Sequence, residues 1–201
     1  MIEKSKEIAY RTDFALICNA RGYVDAVEVG TDQGLFARDF LSRWHGNWLI
    51  CVDPYEPCPE FGYDRTPDMM AAVVALSPYL GRYRMLRSRS IDAPPRVLSF
   101  IHPPGFVYID GDHCVDAVKT DLATWWPVLS DGGMLAGHDY DDGHPGVMTA
   151  VKEFARDYGL VVRLTHETTC PPSWYVYKGE PDKLVHKFFH DAESKNPRVS
   201  R

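Results

Sequence analysis

An α/β fold built on a doubly wound, mostly parallel sheet is the architecture this sequence predicts, and three observations carry it. Short apolar runs rich in β-branched and aromatic residues alternate with segments of helical period along nearly the whole chain. Several of these runs stop at a glycine or a carboxylate: "YVDAVEVG" at Gly30, "NWLICVD" at Asp53, "GFVYID" at Asp110. No internal repeat or low-complexity tract breaks the alternation. Strands and helices in regular alternation place parallel strands side by side, with crossover helices on both faces.

The elements follow in order. Residues 1–22 read as an N-terminal helix, from the spacing of Ile8, Phe14, Ile17 and Cys18. The buried strand ending at Gly30 comes next, then "LFARDFLSRWH", which sets Leu35, Phe36, Phe40 and Trp44 on one broad helical face. A second strand ends at Asp53. "PDMMAAVVALSPYL" is helical with Pro67 in its first turn, and "YRMLRS" is a third strand. "IDAPPRVLSFIH" is a short helix, "GFVYID" the fourth strand, and "VDAVKTDLATWW" a helix with Val115, Val118, Leu122 and Trp125 on one side. "GGMLAGHD" is a fifth strand, and "GVMTAVKEFARDYG" a helix stopped by Gly159. "LVVRLTH" and "SWYVYK" read as an antiparallel pair at one edge. Residues 179–201 form a polar tail, with one more helix expected around Leu184 to Phe189.

Composition narrows the function classes. The 201 residues fit a single domain spanning 1–201, with 45% hydrophobic and 25% charged residues. A net charge of −6 argues against a nucleic-acid partner, which needs a clustered basic face. The nearest candidate cluster, Arg82, Arg84, Arg87 and Arg89, has the spacing of one strand's polar side. No run is long and apolar enough for a membrane span, and "MIEKSKEIAYRTD" lacks the apolar core of a signal peptide. The 5 cysteines have no paired metal-type spacing, so free thiols in a reducing cytoplasm are expected.

In doubly wound sheets, ligands bind beyond the carboxyl ends of the strands. Asp53, Asp110, Asp112, His113, His138 and Asp139 all follow predicted strands, so they should meet along one edge although they lie far apart in sequence. The first turn, "VEVGTDQG", helps to choose the ligand. A dinucleotide turn needs G-x-G-x-x-G, because its second glycine admits the pyrophosphate. Here Asp32 stands at that place, and its carboxylate would repel a pyrophosphate, which disfavours an NAD-dependent oxidoreductase. Glu28, Gly30 and Gly34 instead make an acidic-x-Gly-x-x-x-Gly turn suited to a cationic ligand. Asp53, one strand further on, can accept both hydroxyls of a ribose.

With these residues in view, the chain resembles class I S-adenosylmethionine-dependent methyltransferases from about Val24 to Lys178. The resemblance rests on "VEVGTDQG", "CVDPY", "FVYIDGDHCVDAVKTDLATWWPVLSDGGMLAGHDY" and "HPGVMTAVKEF", in that order. The long third stretch is similar to bacterial O-methyltransferases acting on sugars and antibiotics. The resemblance implies a Rossmann-like, seven-stranded sheet with an antiparallel edge strand. It further implies S-adenosylmethionine against Glu28, Gly30, Thr31 and Gly34, the ribose at Asp53 beside Pro54, the adenine near Ser88, Arg89 and Ser90, and Asp110 at the cofactor's edge. "RSRS" lacks the usual acidic or amide partner for adenine.

Methyl transfer to a hydroxyl requires alignment of donor and acceptor and removal of the acceptor's proton. A divalent cation on the hydroxyl lowers its pKa. Asp110, with His138 and Asp139, stands where metal-dependent relatives carry their ligands, so Mg²⁺ or Mn²⁺ is the expected ion. His138 departs from an all-oxygen set and favours the softer ion or none; without an ion, Asp110 orients the substrate or caps the next helix. His113 is the expected general base, near neutrality in pKa, with Asp112 as alternative. His144 sits in "DDGHPGV", where Gly143 and Gly146 suggest a mobile turn, and Pro54 to Pro67 reads as a lid carrying Tyr55, Phe61 and Tyr63. The expected activity is O-methylation of a small-molecule acceptor; the alternatives are N-methylation of a small molecule or cofactor binding without chemistry. The aromatic "KFFH" in the tail offers a surface for a homodimer.

Overall fold

The computed structural model describes residues 2–5, 8–56, 63–168 and 170–179. One sheet of eight strands runs through the molecule: β1 (Ile2–Lys4), β2 (Asp25–Val29), β3 (Trp48–Asp53), β4 (Tyr83–Arg87), β5 (Phe106–Ile109), β6 (Met134–Gly137), β7 (Val162–Leu164) and β8 (Trp174–Tyr177). Their order is β1-β7-β8-β6-β5-β2-β3-β4, and the order reverses at β2, next to β5. Every pairing is parallel except the two made by β8, to β6 and to β7.

Among the described residues six helices cover the sheet: α1 (Phe14–Arg21), α2 (Leu35–Leu41), α3 (Thr66–Leu76), α4 (Pro94–Leu98), α5 (Val115–Val128) and α6 (Pro145–Asp157). Strand alternation sorts the side chains into two cores. Val27, Val29, Ile50, Val52, Val107 and Ile109 point to the face under α4, α5 and α6, where Val118, Leu122, Trp125 and Phe154 meet them. Ala26, Leu49, Cys51, Phe106 and Tyr108 point the other way, onto Phe14, Ile17, Phe36 and Phe40. Phe36 stacks on Tyr108 with ring centroids 3.9 Å apart and planes 8° apart. Burial of one such ring stabilises the fold by about 2–3 kcal/mol, and the near-parallel stack adds to this.

Four expectations are corrected. Residues 1–22 do not form one helix: Ile2–Lys4 add a parallel edge strand on β7, and only Phe14–Arg21 are α-helical. The sheet therefore has eight strands rather than seven. The antiparallel strand is not at an edge either, because β8 is inserted between β6 and β7, where its four residues Trp174–Tyr177 are fully buried. Leu35, placed by period on the core face of α2, is 50% exposed, because the first turn of that helix opens onto the carboxyl-end cleft. The expected helix around Leu184 to Phe189, "KFFH" and Phe61 lie outside the described residues. Arg82, Arg84, Arg87 and Arg89 make no common basic face: each has its own partner, in backbone carbonyls, aromatic rings or Glu56. Among the described residues no helix is long and apolar enough to cross a membrane.

Candidate active site

A cleft of about 960 Å³ opens over the carboxyl ends of β2, β3 and β5, at the point where the strand order reverses. Its size suits one cofactor-sized ligand. The turn after β2 is drawn tight against the turn after β5. A Cβ added to Gly30, which has φ 85°, would lie 2.0 Å from the Asp110 carbonyl oxygen. Only glycine allows that approach. The Gly30 N–H donates to Val52 O and the Asp110 N–H to Val29 O, both at 2.8 Å, so three strand ends are tied into one floor.

Glu28 sits in that floor at 1% exposure. Burial pushes its carboxyl up to about 8, partly offset by the facing Thr31 hydroxyl. Neither Glu28 Oε2 nor Thr31 Oγ1 has a hydrogen-bond partner at good geometry. A buried acid with an orphaned oxygen at a cleft floor is a place for a ligand donor or cation. Asp53, 4% exposed, ends β3. Its Oδ2 accepts the Asp32 N–H at 2.9 Å and its Oδ1 the Tyr55 N–H at 2.8 Å. Each oxygen keeps a lone pair for a further donor. The Tyr55 hydroxyl donates to Asp32 O, and Arg65 bonds Asp32 Oδ1 at 2.8 Å and Asp68 Oδ2 at 2.6 Å. Asp32 and Tyr55 both have φ 47°, so the turns after β2 and β3 hold a strained but well-bonded form around Asp53.

The second half of the site is a group of carboxylates and imidazoles after β5 and β6. Asp139, with φ 57°, turns back behind the cleft wall. His113 Nε2 is 2.8 Å from Asp139 Oδ2 and 3.9 Å from Asp110 Oδ1. His138 Nδ1 is 3.0 Å from Asp139 Oδ1 and 3.9 Å from Asp110 Oδ1. One ligand atom each from Asp110, His138 and Asp139 lies within 4.8 Å of the others, and the same holds for His113, Asp139 and His144. Asp110 and Asp139 hold the His113 imidazole up at about 10, so it is an imidazolium at neutral pH. Burial raises Asp139, but its bonds to His113 and His138 outweigh burial and hold it well below the usual carboxylate range.

Most of the expected site residues come together here. Glu28, Gly30, Thr31, Asp53, Pro54, Arg89, Ser90, Asp110, Asp112 and His113 line the cleft, with His138 and Asp139 directly behind it. Two others do not reach it. The Ser88 hydroxyl donates to Arg89 O at 3.1 Å. Gly34 is a packing residue: a Cβ there would meet Ala72 of α3 at 3.1 Å. The expected neutrality of His113 is also corrected, because sequence spacing could not show that Asp139 would face it. Asp112, the alternative base, is spent on the turn: its Oδ1 accepts the Cys114 N–H at 2.7 Å, which lowers its pKa and its basicity. The "DDGHPGV" turn is less free than its glycines suggest. Gly146 belongs to α6, and a Cβ there would lie 2.2 Å from the His113 carbonyl oxygen, so glycine lets α6 pin the His113 turn. His144 Nδ1 bonds Asp141 at 2.9 Å, and its ring lies 4.9 Å from that of His113. Arg11, Arg65 and Asp121 line the cleft without having been singled out; they come from a short 3-10 turn, a helix start and a helix face that carry no motif.

The fold has many solved counterparts. An O-methyltransferase from Bacillus cereus, in complex with S-adenosylhomocysteine, superposes with a TM-score of 0.64 at 12% identity, over 84% of this chain and 80% of the other. The O-methyltransferase TomG from Streptomyces achromogenes, in complex with S-adenosylmethionine, gives 0.61 at 13% identity, over 84% and 79%. The O-methyltransferase NovP gives 0.58 at 17% identity, over 85% and 78%. A search of curated proteins returned no match. The glycine turn, Asp53 and the stretch from Asp110 to Asp139 all fall within residues 27–140, which match a family model described as a methyltransferase domain, and the chain belongs to that family.

Proposed function

We propose that the chain transfers the methyl group of S-adenosylmethionine to a hydroxyl of a small molecule. The observation that carries this reading is the continuity of one cleft: the pocket formed by Glu28, Gly30 and Asp53 runs directly into Asp110 and His113. The solved counterparts named above support the donor and the O-methyl chemistry. Asp53 takes the ribose hydroxyls on its free lone pairs, and Glu28 faces the methionine end, where its orphaned oxygen suits an ammonium or sulfonium charge.

Asp110, His138 and Asp139 fit a divalent cation, with two oxygens and one imidazole nitrogen within bridging distance. The mixed donor set favours Mn²⁺ over Mg²⁺. Such an ion, when bound, lowers the pKa of an acceptor hydroxyl. His113 is the proton-handling group. It is held as imidazolium by the charge of Asp110 and Asp139, so it serves as a base only when that charge is offset. The acceptor is a small molecule, because the cleft is one continuous pocket rather than an open charged face. The buried free thiols of Cys18 and Cys51 suit a reducing cytoplasm. A homodimer through "KFFH" belongs to the same reading and rests on the sequence alone.

The test is methyl transfer to a panel of hydroxylated acceptors, with and without EDTA. The reading expects S-adenosylhomocysteine release that stops in chelator and returns with Mn²⁺. Full turnover in chelator would leave the carboxylates as acceptor-orienting groups and reject the ion.

A further inference from the structure

One cation in the cleft has no part in the chemistry described so far. Of the basic side chains that line it, Arg65 pairs with Asp32 and Asp68, Arg89 with Glu56, and His113 with Asp139. Arg11 lines the same cleft half-buried and, among the described residues, makes no ion pair. It belongs to the 3-10 turn Arg11–Asp13, and that turn is firmly built. The Tyr10 N–H donates to Asp13 Oδ2 at 2.9 Å, and the Arg11 N–H to Glu167 Oε1 at 2.7 Å. Glu167 is thereby spent on the backbone, and its other oxygen accepts the Thr165 hydroxyl at 2.6 Å and the Ser173 N–H at 3.3 Å. The Tyr108 hydroxyl stands beside the guanidinium, but one phenol oxygen cannot use all the N–H donors of the fork. A half-buried cation with donors to spare costs stability, and a residue serving the fold alone would be better paired or apolar.

We infer that Arg11 anchors a carboxylate of the methyl acceptor, so that the acceptor is a hydroxy acid with an apolar body. The place of Arg11 supports this. Its charge is felt by Asp110 and by the Cys170 thiol, and Cys170 in turn neighbours Asp139. Arg11 therefore stands at the Asp110–Asp139 end of the cleft, where the acceptor's hydroxyl must lie. Asp110 neighbours both Arg11 and His113, so a molecule seated on Arg11 by its carboxylate brings a hydroxyl to His113 across only a few bonds. A guanidinium fork matches a carboxylate with two parallel hydrogen bonds, which fixes the acceptor's orientation as well as its place. The apolar body has a surface too. Helix α2 packs against the turn that carries Arg11, and its first residue, Leu35, opens half-exposed onto the cleft. Arg11 is a specificity-determining residue here: it holds the acceptor and moves no proton.

This rests on the methyl-transfer reading, and the experiment separates the two. The chain saturated with S-adenosylhomocysteine is titrated calorimetrically with hydroxy acids and their primary amides: salicylate and salicylamide, gallate and gallamide, mandelate and mandelamide. Wild type is expected to bind at least one acid, and to prefer it to its amide by about 10-fold or more, the scale of one charge-assisted hydrogen bond. Arg11→Gln is expected to lose most of that preference, and Arg11→Lys to recover part of it, because lysine keeps the charge without the fork. For an acid that is methylated, Arg11→Gln should raise KM far more than it lowers kcat. Titration of each variant with S-adenosylhomocysteine alone reports whether it folds with its donor pocket intact. Equal binding of acid and amide by wild type, binding of no acid, or an unchanged preference in Arg11→Gln would overturn the assignment while leaving the donor in place. A parallel loss of S-adenosylhomocysteine affinity in Arg11→Gln, with Arg11→Lys folded, would give Arg11 to the donor's own carboxylate and overturn it equally. Acids bound through Arg11 but never methylated would leave the anchor standing and overturn the methyl-transfer reading instead.

Discussion

Replacing Glu28 by Gln should stabilise the ligand-free chain, and the gain should grow with pH. The Glu28 carboxyl is held up at about 8 in the fold, chiefly by burial, against 4.5 when unperturbed. A raised acid contributes stability that is fully present below the unfolded pKa and is lost as pH rises through the folded one. The window is therefore from about 4.5 to about 8. Within it, each pH unit removes about 1.4 kcal/mol, so the loss between pH 5 and pH 7 is about 2–3 kcal/mol. Glutamine keeps the shape and has no such titration. The assay is urea denaturation of both proteins at pH 5 and pH 7, comparing the change in stability of each. The other titrating groups, including the His113–Asp139 pair, are common to both proteins and cancel in the difference. If the two proteins lose or gain the same stability between these pH values, Glu28 is not a protonated buried acid. The physical account of the cleft floor would then be wrong.

Asp53→Ala should weaken S-adenosylmethionine binding by about 1.5–3 kcal/mol in a calorimetric titration, because it removes the proposed ribose acceptor and frees the Asp32 and Tyr55 N–H groups that shape the pocket. Gly146→Ala should destabilise the chain by about 1–3 kcal/mol in thermal or urea unfolding, because the new methyl meets the His113 carbonyl at 2.2 Å. The same variant should lower methyl transfer while leaving cofactor affinity close to wild type, since the Asp53 side of the cleft is untouched. Phe36→Ala should cost about 3–5 kcal/mol of folding stability, because its ring stacks on Tyr108 in the core beneath α2.

Much of the fold was legible because its signals are local and agree with one another. Continuous apolar runs and glycine or carboxylate stops marked β2, β3, β5 and β6, and helical period marked α5 and α6. What sequence did not reveal was pairing between distant segments. Ile2–Lys4 gain strand structure only from the edge of β7, so nothing in "IEK" itself announces them. The site divides the same way. Gly30, Asp53, Asp110 and Asp139 follow strand ends, and topology alone places them on one edge. The pairing of His113 with Asp139 depends on a positive-φ turn at Asp139 and on α6 pinning the His113 loop through Gly146. Those are three-dimensional facts, and they reverse the protonation state that spacing suggested. Asp121 stayed hidden for another reason: in "KTDLATWW" it looks like a solvated helix residue, and only the packing of α5 against the Ser90 turn buries it.

The most direct test of the account is binding of the methyl donor, because it needs no knowledge of the acceptor. Titration of the chain with S-adenosylmethionine and, separately, with NAD compares the two cofactors that a doubly wound sheet most readily accepts. The account predicts one S-adenosylmethionine per chain at micromolar strength and no heat with NAD, whose pyrophosphate would meet the Asp32 turn. Clear heat with NAD and none with S-adenosylmethionine or S-adenosylhomocysteine would contradict it.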